Sequence, residues 1–215
     1  MRVCVSVRKP SKSPPMAFWH LKNMTRNRLI GAIVGGGLVA VVGGAWIVIY
    51  AGAYNIAADA PHTGPVHWLL DEVRERSIAV RAEGIVVPTD LASPARIAAG
   101  AGLYKEMCSS CHLAPGMERT EISQGLYPAA PELTHGSDLT PAQKFWVIKH
   151  GVKMTAMPSW GVTHNDTLIW DMVAFLQKVP GLTPAQYETL AKSAPDHDAT
   201  MDGMHMDGGA MPPGK

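Results

Sequence analysis

The stretch Cys108-Ser109-Ser110-Cys111-His112 is the most informative part of this 215-residue chain. Its two cysteines are separated by two residues, so one helical turn brings both thiols to the same side. The histidine that follows adds an imidazole next to them. The chain has three cysteines, and the third, Cys4, lies near the N-terminus. That number is too small for a disulfide scaffold or for a four-cysteine zinc site.

This pattern predicts the covalent attachment of one haem c. The two thiols would join the two vinyl groups of the haem, and His112 would place a ring nitrogen under the iron. A redox dithiol is the main alternative for two cysteines at this spacing. It does not explain the histidine, and the flanking sequence has no βαβ pattern. We therefore predict that Cys108 and Cys111 hold the haem and that His112 ligates the iron.

Helix signals lie on both sides of this motif. The pairs Ser93-Pro94 and Thr140-Pro141 are each typical of a helix start, with the first residue as the N-cap. We expect these helices to end near residues 107 and 150, and a final helix to run from about residue 165 to just before Pro180. No strand-like alternation occurs. The sequence predicts an all-α domain around one covalently bound cofactor.

Residues 93–190 resemble a class I c-type cytochrome of the bacterial, membrane-anchored, single-haem type. In that family a glycine and an aromatic residue precede the first cysteine by eight and four positions, and this chain has Gly100 and Tyr104 there. The resemblance implies a cytochrome c-like helical fold. It also implies that the helix with Gly100 crosses the last helix at Phe175.

The family also has a Pro-x-Leu loop after the haem histidine. The proline carbonyl in that loop accepts a hydrogen bond from the histidine ring, which fixes the tautomer of the ligand. Pro131-Glu132-Leu133 is the best match, and Pro128 is a weaker one. The resemblance therefore assigns the acceptor role to Pro131.

The resemblance also implies a methionine as the sixth ligand of the iron, in the loop before the last helix. Met157 is the predicted ligand because Pro158 follows it, and Met154 is the alternative. We expect Trp160 to cover a haem edge or to reach a propionate. Four histidines could replace the methionine in a bis-histidine site, although surface or capping roles fit them better: His62, His67, His150 and His164.

A His/Met ligand pair leaves no open position on the iron, which favours one-electron transfer over catalysis. The resemblance thus implies an electron carrier and not an enzyme, either alone or as a subunit of an oxidoreductase complex. Its expected partners are a quinol-oxidising complex and a terminal oxidase or reductase. A gas sensor would need an output domain, and a peroxidase would need an open site or a second haem.

Residues 29–54 form an uncharged, apolar run that predicts one transmembrane helix. Such a helix would be roughly 39 Å long at about 1.5 Å per residue, enough to cross a hydrocarbon layer of roughly 30 Å. Residues 1–28 contain seven basic and no acidic side chains. They should stay in the cytoplasm, which places the haem domain in the periplasm at the inner membrane. A cleaved signal peptide is the alternative, and translation from Met24 or Met16 is an alternative start.

The rest of the chain is acidic, with 12 basic and 18 acidic side chains. Phosphate binding requires a basic face, so this charge argues against nucleic acid as a partner. A surface of this kind suits short-lived docking on a basic patch of another protein.

Residues 55–92 are predicted to form a juxtamembrane amphipathic helix and a linker, with Pro65 as the first helical residue. Its apolar face would contain Val66, Leu69, Leu70, Val73, Ser77 and Val80. The haem domain, lipid headgroups and a partner subunit are all compatible with that face.

Residues 191–215 are rich in methionine and histidine, with aspartate and glycine between them, which predicts a disordered tail. Thioether and imidazole ligands suit Cu(I). A copper-handling protein with an accessory haem is therefore the alternative function.

Overall fold

The computed structural model describes residues 16–195, with side chains from residue 26 onward. This part of the chain is helical and has no β-strand, which confirms the predicted all-α class. Its eight α-helices are α1 (Met16–Tyr50), α2 (Gly64–Ala82), α3 (Pro94–Met107), α4 (Ser109–His112), α5 (Glu121–Gly125), α6 (Pro141–His150), α7 (Asp166–Lys178) and α8 (Pro184–Lys192). They form two compact units, one that ends at Ile56 and one that begins at Ala57.

Helix α1 makes up most of the first unit. Among the described residues, Arg26–Tyr50 is the one stretch that is long and apolar enough to cross a membrane, with a mean hydropathy of 2.3. Its apolar side chains are exposed. A membrane anchor and a signal sequence both fit this description.

The bounds of α1 differ from the predicted span of 29–54. The helix already begins at Met16, inside the segment expected to be a separate basic N-terminus. It ends at Tyr50 because Gly52 adopts a φ of +60° and the N–H of Ala53 bonds the Val48 carbonyl at 3.1 Å. This is a Schellman ending, which satisfies the last carbonyls of the helix. Tyr54 therefore lies outside the helix.

Helix α2 packs against α6 of the same unit, which is one of the arrangements that the sequence left open. The predicted apolar face was wrong in part. The structure buries Ile78 and Ala82 and leaves Leu69, Val73 and Val80 more than half exposed. The difference arises because the tertiary contact with α6, and not hydrophobic periodicity alone, selects the covered face.

Helices α3 and α7 cross at Gly100. A Cβ atom at this position would lie 1.9 Å from the Asp171 carbonyl oxygen and 2.9 Å from the Phe175 Cβ atom, so only glycine permits this approach. The ring centroids of Tyr104 and Phe175 are 5.1 Å apart, and both residues are fully buried. The predicted crossing of a small and an aromatic residue is confirmed.

An ion pair joins the same two helices. Arg96 Nη1 lies 2.7 Å from Asp171 Oδ1, and Arg96 Nε lies 2.9 Å from Asp90 Oδ2. Asp171 is buried; burial raises its pKa, and the hydrogen bond from Arg96 lowers it, with a net upward direction. The arginine therefore compensates a carboxylate inside the core, which hydrophobic patterning did not predict.

Helix α6 follows the attachment region and packs on α7. The rings of Phe145 and Trp170 are stacked with centroids 4.3 Å apart, and Lys149 Nζ lies 2.6 Å from Asp166 Oδ1. The predicted starts and ends of α3, α6 and α7 agree with the structure.

The expectation that α7 would be the final helix was wrong, because α8 follows it. Thr183 caps α8 with a capping box that involves Gln186. Thr140 and Gln143 form the same capping box at α6. Since both helices begin with the sequence Thr-Pro-Ala-Gln, the signal for α8 was present.

The predicted tail from residue 191 also begins too early, because α8 continues to Lys192. Residues 196–215, with the predicted copper ligands, lie outside the described residues, as do Cys4 and the rest of residues 1–15.

Candidate haem site

The short helix α4 carries the attachment motif. It follows α3 after one residue, and the N–H of Cys108 bonds the Tyr104 carbonyl at 3.0 Å. The N–H of His112 in turn bonds the Cys108 carbonyl at 2.9 Å. Cys108 and Cys111 are half-buried, and neither is in a disulfide. The backbone therefore presents two thiols and one imidazole within a single turn.

The imidazole of His112 is held by the loop that follows. Its Nδ1 lies 2.8 Å from the Pro131 carbonyl oxygen. A carbonyl can only accept, so Nδ1 carries the proton and Nε2 keeps a lone pair for a metal. Burial lowers the pKa of His112, which also favours the neutral ring. Pro131, not Pro128, is thus the acceptor, as predicted.

The residue after His112 has an uncommon backbone conformation. Leu113 has a φ of +61°, a region that side chains with a Cβ atom rarely adopt. The Tyr104 hydroxyl donates a hydrogen bond to the Leu113 carbonyl. The buried aromatic residue of α3 therefore fixes the point at which the chain leaves the attachment turn.

The two methionines before α7 have different environments. Met157 is half-buried and packs against the hydrophobic core together with Trp160, whereas Met154 is 78% exposed. Met154 also has a φ of +60°, at the tip of the loop. Its side chain is thus open to solvent, and Met157 is the better candidate ligand.

The loop that carries Met157 is pinned to the end of α6. The N–H of Val152 bonds the Met157 carbonyl at 3.2 Å, and the Ser159 hydroxyl bonds the Lys149 carbonyl at 2.8 Å. Gly151, with a φ of +65°, would place a Cβ atom 2.7 Å from the Met157 carbonyl oxygen. The close backbone approach fixes the position of Met157 relative to α6.

The four histidines considered as alternative ligands all have other contacts. His67 lies 2.8 Å from Asp71 on α2, and the ring of His150 contacts Trp146. The ring of His62 packs edge-on against Tyr127. His164 differs from its expected surface role because it is buried, with Nδ1 2.8 Å from the Thr163 hydroxyl.

These donors fit a haem better than a bare metal ion. The described residues contain no group of three or more His, Cys, Asp or Glu side chains that could hold an ion. One imidazole nitrogen and one thioether are enough only where a porphyrin supplies the other four ligands. Two free thiols lie beside the imidazole, as the predicted attachment requires.

The comparison with protein-family models agrees with this fold. Residues 95–176, from α3 to α7, match the model of a c-type cytochrome family. More specifically, this segment matches the family described as cytochrome C oxidase, cbb3-type, subunit III. No curated protein and no solved structure gives a match to the chain. The match supports a haem electron carrier in a respiratory context.

One residue near the site was not predicted. Tyr187 of α8 is 4% exposed, and its ring centroid lies 6.5 Å from that of Tyr104 and 6.0 Å from that of Phe175. The repeated Thr-Pro-Ala-Gln start of α8 would have predicted its helix. Its burial depends on packing between α8 and α3, which a single sequence does not encode locally.

Proposed function

We propose that this protein is a membrane-tethered, periplasmic electron carrier with one haem c. Thioether bonds at Cys108 and Cys111 attach the haem, and His112 and Met157 ligate its iron. The observation that carries the proposal is the hydrogen bond between His112 Nδ1 and the Pro131 carbonyl at 2.8 Å. It orients the imidazole as a ligand on the same turn as the two thiols.

The ligand set determines the chemistry. With His112 and Met157 both bound to the iron, a substrate could reach it only by displacing one of them, so the haem would supply single-electron transfer. A thioether ligand raises the reduction potential relative to a second histidine. Tyr104, Pro131 and the hydrogen bonds of the Met157 loop hold His112 and Met157 in place.

The family match supports a partner at the membrane. The matched description names a subunit of a cytochrome c oxidase, and the chain outside its basic N-terminus is acidic. We infer that the protein accepts electrons from a quinol-oxidising complex and delivers them to a terminal oxidase or reductase, with which it could be associated as a subunit. Tethering near such a complex raises the effective concentration of the carrier.

The apolar stretch Arg26–Tyr50 supports the tether. Arg26 and Arg28 lie at its N-terminal end, where basic residues favour the cytoplasmic side. In this arrangement the haem domain lies in the periplasm, attached to the inner membrane by one helix. If the mature protein isolated from cells lacked its N-terminal helix, the membrane tether would be contradicted, but the haem site would not.

Replacement of the two methionines tests the ligand assignment. Met157→Ala should abolish the sulfur-to-iron charge-transfer band of the oxidised protein, lower its reduction potential and allow CO to bind the reduced iron. Met154→Ala is the matched control in the same loop, and it should retain the wild-type spectrum because Met154 is 78% exposed. Rapid CO binding by the wild-type protein would contradict a closed site.

A further inference from the structure

The hydroxyl of Tyr187 lacks a hydrogen-bond partner in this structure. Among the described residues it is the one buried side-chain polar atom in this situation. A buried donor without an acceptor is costly, and phenylalanine would fill the same space without this cost. The hydroxyl therefore requires an explanation that the protein chain alone does not give.

Helix α8, which carries Tyr187, lies outside the matched cytochrome domain but is fitted closely to it. Lys105 Nζ of α3 lies 3.0 Å from Glu188 Oε2. A Cβ atom at Gly116, in the loop after the attachment turn, would lie 2.7 Å from Pro184 Cγ. A Cβ atom at Gly102 would lie 2.5 Å from the Ala194 Cβ atom. Because both positions are glycines, α8 and the residues after it can pack closely against α3 and the loop that follows the attachment turn.

The ring of Tyr187 packs against α3, the helix that leads into Cys108. Its ring packs edge-on against Tyr104, whose carbonyl accepts the N–H of Cys108. Cys108 packs against the same hydrophobic core that contains Tyr187. Burial raises the pKa of Tyr187 to about 12, with smaller contributions from Glu188 and then Cys108. The haem-bound sulfur of Cys108 is a hydrogen-bond acceptor that the proposed function adds to this part of the core.

We propose that the Tyr187 hydroxyl donates a hydrogen bond to the Cys108 sulfur once that sulfur is part of a thioether to haem. This inference rests on the proposed function. Thioether sulfur is a weak acceptor, and attachment sets its position through the single side-chain torsion of Cys108. The bond withdraws electron density from the attached edge of the porphyrin and so favours the reduced iron. Tyr187 is then a positioning residue, and α8 is part of the haem-binding unit.

The test uses the full-length, haem-loaded protein and the variant Tyr187→Phe, which removes only the hydroxyl. We expect the haem to remain attached and the reduction potential to shift to a more negative value. Tyr50→Phe is the control, since Tyr50 is 79% exposed, and its potential should equal that of the wild type. An unchanged potential in Tyr187→Phe overturns the inference. A higher melting temperature of the variant would also count against it, because the hydroxyl would then be unpaired in the loaded protein.

A second measurement needs no variant. In the wild-type protein, a carbon–sulfur stretching band in the resonance Raman spectrum should shift when water is exchanged for D₂O, because the donor is an exchangeable hydroxyl. No shift overturns the inference. Both readouts presuppose attached haem, so a wild-type protein without covalent pigment would refute the proposed function itself, whereas attached haem with an unchanged potential refutes only the role of Tyr187.

Discussion

The Tyr104 hydroxyl donates a hydrogen bond to the carbonyl of Leu113, the residue that follows the proposed ligand His112. Tyr104 belongs to α3 and is 1% exposed, and Leu113 has a φ of +61°. The core helix thus reaches over the attachment turn and holds a backbone conformation that would otherwise be unfavourable. Core packing and ligand geometry are connected through this bond.

Tyr104→Phe should destabilise the protein by about 1–3 kcal/mol, because a buried carbonyl loses its donor. Thermal unfolding of the haem-loaded variant measures this loss. Tyr50→Phe, on the exposed surface of α1, should unfold at the wild-type temperature. Equal melting temperatures for Tyr104→Phe and the wild type would show that the hydroxyl does not hold Leu113.

Gly100→Ala should destabilise the crossing of α3 and α7. The new Cβ atom would lie 1.9 Å from a backbone oxygen, which requires the helices to separate and costs about 3 kcal/mol. Chemical denaturation of the haem-loaded protein measures the change.

The matched control for this prediction is Gly125→Ala at the end of α5. No atom lies within 4 Å of the position where its Cβ would be built, so its unfolding free energy should stay close to that of the wild type. If Gly100→Ala lowered the unfolding free energy no more than Gly125→Ala does, the close contact between α3 and α7 would be contradicted.

Arg96→Ala should leave the buried carboxylate of Asp171 without its cation and cost about 3 kcal/mol at neutral pH. The loss should shrink on acidification. Without Arg96 the pKa of Asp171 rises further, so the folded variant takes up a proton and recovers stability as the pH falls through that raised pKa. Arg96 also lowers the pKa of Asp90, and this contribution to the wild type is lost as the pH falls.

Unfolding free energies of Arg96→Ala and the wild type between neutral and acidic pH test this dependence. Lys105→Ala is the control, because its ion pair with Glu188 is close to half exposed on both sides and should contribute less than about 1 kcal/mol. A deficit of Arg96→Ala that grows on acidification would contradict the role assigned to Asp171.

The methionine- and histidine-rich tail leads to a separate prediction. A chain that ends at Pro195 keeps α8 intact and should bind less Cu(I) than the full-length protein, because the soft ligands are removed. Uptake measured by competition with a Cu(I) chelator compares the two. Equal Cu(I) uptake by the two proteins would contradict copper binding by the tail.

Local signals were sufficient for most of the helical domain. The signals for the helix starts lie within three residues of the chain: the caps Ser93, Thr140 and Asn165, and the prolines that follow the first two. The structure shows a side-chain cap at each of these three residues. The attachment motif was equally local, because its function depends on spacing within one turn. The role of Pro131 came from the resemblance to class I cytochromes, and the contact with His112 confirms it.

Features that depend on tertiary contacts could not be read from local patterns. The covered face of α2 is set by α6, and the partner of Asp171 lies 75 residues away in Arg96. The helix containing Tyr187 had a readable start, yet its burial follows from contacts with α3 that join residues distant in sequence. The different exposure of Met157 and Met154 likewise follows from packing that the local sequence does not show.

The most direct test of the account is the state of the haem after the polypeptide is denatured. Protein purified from a host that attaches haem should keep its pigment after acid-acetone extraction, stain for peroxidase activity in a denaturing gel, and exceed the polypeptide mass by one haem. The double variant Cys108→Ala/Cys111→Ala should lose all three properties. A wild-type polypeptide that is colourless after extraction and has the mass of the bare chain would contradict the central claim.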